Sequence, residues 1–153
     1  MKHAPVVIQL YPNEIEKSDL LKELRIDRAN LSRALIRQPS LYAWWSSLYS
    51  EVAKNTAELA AKLEVAEAKK AIKLTKKFRE EKRKHTVSDI KHYVSISTKI
   101  KELRRELRVW QNSERILKHA VKSFEQRKDV LMALNANLRA ERKSEDEGGE
   151  DEE

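Results

Sequence analysis

The chain has 153 residues, 40% apolar and 37% charged, too few apolar and too many charged for one compact core to account for all of it. It has no cysteine, which excludes disulfides and thiolate metal sites and suits a reducing cytoplasm. No window approaches the roughly 18 apolar residues of a membrane span, and the opening MKHAPVVIQLYP is too briefly apolar for a secretory signal.

Pro5, Pro12 and Pro39 all lie early, and the only glycines, Gly148 and Gly149, lie near the end. Turns draw on these two residue types, so the long stretch between them is expected to be all-α, in long helices. Charge is uneven as well. The net charge is +7, but seven acids and no base fall in residues 144–153, which leaves +14 on the rest. A basic body with an acidic end is typical of proteins that handle nucleic acid. The expected organisation is an N-terminal arm (1–17), a helical, oligomerising and DNA-binding domain (18–143) and a disordered acidic tail (144–153).

Val6–Leu10 is a short apolar run that alone decides nothing. Ser18 can cap a short helix, Asp19–Arg25, and Asp27 a second, roughly Arg28–Arg37. Pro39 is expected to stop the second, because the residue before a proline is pushed away from helical angles. A long helix should then run from about Leu41 to the low eighties. Its buried stripe is Leu41, Trp45, Leu48, Val52, Thr56, Leu59, Leu63 and Ala66. Residues 81–87 (EKRKHTV) lack hydrophobic repetition and mark a break, after which Thr86 or Ser88 can cap the next helix.

That next helix carries a heptad pattern. Tyr93, Ile100, Leu107, Glu114, Val121, Lys128 and Asn135 occupy a positions; Ile96, Leu103, Trp110, Leu117, Phe124, Leu131 and Leu138 occupy d positions. Such a repeat predicts a supercoiled seam with a partner helix, from the same chain or from copies. A second apolar row (Ile90, Val94, Val109, Ile116, Val130, Leu134) lies beside the first. One helix cannot cover both, so a coiled-coil hairpin that self-associates is expected, with Ile100, Leu103, Leu107, Trp110, Leu117, Val121, Phe124, Leu131 and Leu138 as its oligomerisation residues.

No catalytic constellation emerges. There is no glycine-rich phosphate loop, and no cofactor is implied. Asp89 and His92 sit one turn apart, but no second carboxylate–histidine pair completes a metal site. The reading is therefore non-enzymatic. The run KKAIKLTKKFREEKRK is different: Lys69, Lys70, Lys73, Lys76, Lys77, Arg79, Lys82, Arg83 and Lys84 stand against only Glu80 and Glu81. On a helix, most of these lysines share an arc of about 120° beside Ala71, Leu74 and Phe78. A lysine stripe of this kind can track a phosphate backbone through counterion release. Phe78 is the best base-stacking candidate, and Lys99, Lys101, Arg104, Arg105 and Arg108 could extend the surface.

The order SDLLKELR, an Ile-Asp opening the next helix, LYAWWSSL, AEAKKAIKLTKKFRE and a closing RKDVLMALNANLRAE resembles the recombination mediator family of T-even phages (the UvsY type), over roughly Asp19–Glu141. The resemblance implies a ring, of seven copies, that binds single-stranded DNA. It also implies loading of a RecA-like recombinase onto strands coated by single-strand-binding protein, in the host cytoplasm. The family's basic motif falls on Lys69–Arg79. Glu80 and Glu81 stand here where aromatic residues would be expected, and the loop around 81–87 is shorter. The competing reading is a structural or adaptor coiled coil, such as a phage assembly protein, whose charge serves only solubility. A duplex-DNA regulator, the third reading, would prefer duplex.

Overall fold

The computed structural model describes residues 20–148, with side chains through Ser144. The N-terminal arm, its apolar run and the Ser18 cap lie outside the described residues. Every element described is helical: α1 (Leu20–Leu24), a 3-10 turn (Arg28–Asn30), α2 (Leu31–Glu80), α3 (Val87–Ser95) and α4 (Thr98–Gly148). This is the expected all-α architecture, two short N-terminal turns of helix leading into a hairpin of two long helices.

Asp27 caps as its residue type suggests. Its carboxylate accepts from the Asn30 side chain at 2.8 Å and from the Ala29 N–H at 3.0 Å. These bonds hold its carboxyl below the ordinary carboxylate range. The separate short helix expected after this cap does not form. The 3-10 turn runs straight into α2, which continues through Pro39 for 50 residues. An interior proline costs about 3 kcal/mol, so tertiary contacts must hold both of its sides. They do. Gln38 is buried and donates to the Phe124 carbonyl at 2.6 Å, while Leu31 and Trp45 are buried on either side.

Thr86 and Asp89 form a reciprocal capping box that opens α3. The Thr86 backbone N–H, and then its hydroxyl, lower the Asp89 carboxyl below its ordinary range. The long heptad helix is interrupted, however. α3 stops at Ser95, and α4 begins at Thr98 with the Lys101 N–H bonded to the Ser97 carbonyl. The bend has a packing cause. Ile90 and Val94 of α3 and Ile100 of α4 share one buried cluster with Phe78. A straight helix would set Ile90 and Ile100 about 15 Å apart along its axis. Tyr93 and Ile96 thus fall outside the α4 repeat, and Ile96 is 46% exposed in the turn. At the far end α4 reaches Gly148, which takes the first five residues of the acidic segment into the helix.

Contacts group the described residues into two units. One comprises residues 20–49 and 116–148, the other residues 50–115. In the first, Trp45 stacks on Phe124 with centroids 5.8 Å apart, and Leu117 and Leu131 are fully buried. Trp45 Nε1 donates to Glu23 at 2.9 Å and ties α1 to α2. Buried Arg127 donates to Gln38 and to the Arg25 carbonyl; desolvation lowers its pKa, and neighbouring Arg37 adds to that. In the second unit, Val52, Thr56, Leu59, Leu103 and Trp110 are buried along α2 and α4 beneath the Phe78 cluster.

Most of the seam is already covered within a single chain. Ile100, Leu103, Trp110, Leu117, Phe124 and Leu131 lie in the core of a single chain, and Leu107 and Val121 are half-buried there. The heptad repeat found its partner in α2. Among the residues assigned to oligomerisation, only Leu138 is exposed, at 38%. The apolar side chains that α4 leaves in solvent include Val109, Val130 and Met132.

Candidate nucleic-acid interface

The basic run divides between the end of α2 and the connection to α3. Lys69, Lys70, Lys73, Lys76, Lys77 and Arg79 are helical; Lys82, Arg83 and Lys84 come after the helix end at Glu80. Lys84 therefore does not continue the helical stripe. All nine side chains are exposed except Lys70, which is half-buried. At about 100° per residue, Lys69, Lys73, Lys76 and Lys77 line one flank of α2, with Glu80 among them. Lys77 also lies 3.7 Å from Glu81. An ion pair this exposed is worth little, so Lys77 remains available to an anion.

The helix end is built without glycine. The Arg83 N–H bonds to the Phe78 carbonyl (2.9 Å) and the Lys82 N–H to the Arg79 carbonyl (3.1 Å), with Lys82 at φ 50°. These are the two bonds of a Schellman motif, whose left-handed position usually carries glycine. The apolar contact that accompanies such a cap is supplied here by Arg83. Its guanidinium lies 4.8 Å from the Phe78 ring centroid and 5.6 Å from that of Tyr93, and it donates to the Tyr93 hydroxyl at 3.0 Å. Lysine at this position carries a left-handed penalty, so Lys82→Gly should raise stability by about 0.5–1 kcal/mol. A thermal melt in which Lys82→Gly melted below the unmodified chain would refute this account of the cap.

Two residues thus have roles the sequence did not suggest. Phe78 is 4% exposed and belongs to the core, so it does not present a stacking surface. Arg83 is engaged by two rings that cap the hairpin end. Neither could be read from the basic run, because the contacts depend on α3 folding back over α2.

The proposed extension on α4 also divides. Arg104 bonds Glu67 of α2 through Nε (3.0 Å) and a terminal nitrogen (2.7 Å). A cleft of about 690 Å³ opens on this side, lined among others by Glu64, Glu67, Ala68 and Ala71 of α2, Lys91 and His92 of α3, and Arg104. Along α2 these four residues sit across the helix from Lys69, Lys73 and Lys76. Lys101, Arg105 and Arg108 lie on the outer face of α4, across the helix from buried Leu103 and Trp110 and away from the α2 lysines, with Arg104 at one edge of that face; Lys99 falls on the other side. Asp89 is spent on its cap, and among the described residues no group of three metal-ligating side chains converges.

These features define a class of structure: an all-α chain whose two helices of about fifty residues pair as a hairpin, closed by a short helix over one end. Its fold is that of three solved structures of the bacteriophage T4 recombination mediator protein UvsY. They superpose with TM-scores of 0.64, 0.63 and 0.62 at 18% identity, covering 80% of this chain and 92%, 95% and 91% of theirs. No protein-family model and no curated protein sequence matches the chain. Among the described residues no helix is long and apolar enough to cross a membrane.

Proposed function

We propose that this protein is a recombination mediator. It binds single-stranded DNA without catalysing a reaction and loads a RecA-like recombinase onto strands coated by single-strand-binding protein. The observation that carries this reading is the exposed lysine flank at the end of α2, on a fold shared with a recombination mediator. Flexible lysines act as point charges that track a phosphate chain whatever its sequence. Self-association, as the seven-membered ring implied by the resemblance, would use the apolar side chains that α4 leaves exposed, including Val109 and Val130.

Titration of a labelled single-stranded oligonucleotide across a salt series tests the reading. With roughly four to six phosphate contacts per protomer, the slope of log affinity against log salt should be about −3 to −4. Removing residues 144–153, whose acids compete with phosphate, should tighten binding most at low salt. Absence of binding at moderate salt would favour the adaptor coiled coil, and preference for duplex would favour a regulator.

A further inference from the structure

We propose that α4 carries a second nucleic-acid track, on the flank of the hairpin opposite the α2 lysines, so that one protomer holds two strand segments. It extends the reading of the chain as a strand-binding protein and rests on it. Lys101, Arg105, Arg108 and Arg115 are spaced at intervals of 4, 3 and 7 residues, which keeps them within an arc of about 80° over roughly 20 Å of helix. All four are exposed. Among the described residues no carboxylate lies within 4 Å of Lys101, Arg105 or Arg108, although Glu102 and Glu106 are close in sequence. On the helix Glu102 lies about 60° and Glu106 about 100° around from Arg105, beside the stripe and outside its arc.

The Arg104–Glu67 pair fixes the side. It joins the arginine flank of α4 to the acidic flank of α2, which places the whole hairpin between this stripe and Lys69, Lys73 and Lys76. A single backbone therefore cannot lie on both stripes by running along one face. The residue types differ as well. Three of the four α4 cations are arginines, whose planar guanidinium binds phosphate in a bidentate fork and stacks on bases. Arg115 is already oriented, donating to Asn112 Oδ1 at 2.8 Å. Within this arc no side chain from Lys101 to Arg115 is apolar, and exposed Val109 lies about 40° outside it, whereas a protein partner would need an apolar anchor at the centre. The surface fits a polyanion, and in a strand-binding protein that polyanion is a second nucleic-acid segment.

The test counts short strands per protomer. A fluorescent oligothymidylate of about eight nucleotides, too short to wrap the hairpin, is titrated at concentrations well above its dissociation constant. The unmodified chain should saturate at two oligonucleotides per protomer. Lys101→Ala, Arg105→Ala and Arg108→Ala together should reduce this to one, with helical content unchanged because all three side chains are exposed. Lys73→Ala, Lys76→Ala and Lys77→Ala together should also leave one, and the combined variant none. If only the α2 variant leaves the count unchanged, the α2 site has failed and the α4 track stands. Saturation at one, insensitive to the α4 substitutions, would overturn the second track. So would an α4 variant that keeps both strands and loses only binding to a polyglutamate peptide, since the stripe would then serve an acidic protein.

Discussion

Replacing Lys73, Lys76 and Lys77 together by alanine should flatten the salt dependence of single-strand binding by about two units, because each lost phosphate contact removes about 0.7 from the slope. Between 50 and 200 mM salt the unmodified chain should lose roughly 100-fold in affinity and the variant only about 10-fold. The loss should be nearly independent of base sequence, since lysines on a helix flank contact backbone rather than base edges. Loading of a cognate recombinase should fail, because the mediator must keep its strand while the strand's other partners exchange. The three side chains are exposed, so helical content and assembly should be unchanged. A variant that kept both its slope and its loading activity would place the strand elsewhere.

Leu117→Lys with Phe124→Lys should unfold the chain rather than dissociate an assembly. Both residues are 0% exposed within one chain, and the Phe124 ring stacks on Trp45. Burying an unpaired ammonium costs several kcal/mol per site, against a total stability of about 5–15 kcal/mol. Circular dichroism should show helix lost at room temperature. The contrasting pair, Val109→Lys with Val130→Lys, changes residues 42% and 49% exposed and should leave helicity intact while light scattering reports smaller particles. A folded monomer from the first pair would mean that the heptad seam faces another copy after all.

Much of this architecture is legible in residue order. The break after α2, the Asp27 cap and the Thr86–Asp89 box are local chemistry, and they fall where their residue types suggest. The departures share a cause. Periodicity states that a stripe is buried but not against what, so a seam that packs on α2 reads the same as a seam between copies. Pro39 reads as a stop because the Gln38 bond that supports it reaches a residue 86 positions away. The bend at Ile96–Ser97 leaves no mark in the heptad phase, since Tyr93 and Ile96 continue it numerically. At the candidate interface the lysines are legible as composition. The placement of the α4 cations away from the α2 lysines is not, because it needs the Arg104–Glu67 pair to orient the helices.

The spacing of contacts along the chain sets the order in which they can form. At the closed end of the hairpin, the bond from Arg83 to Tyr93 spans 10 residues and that from Arg104 to Glu67 spans 37. Around Trp45 and Phe124, the Gln38 bond to Phe124 spans 86. Closing the longer loop costs about 2 kcal/mol more than closing the shortest. Folding should begin at the corner where Phe78, Ile90, Val94 and Ile100 meet, then zip along the two long helices, each contact shortening the loop left for the next. The same order in reverse governs opening. Amide exchange should be slowest near that corner and faster at the N-terminal turns of α2, so the segment that carries the lysines is the last to lose its shape.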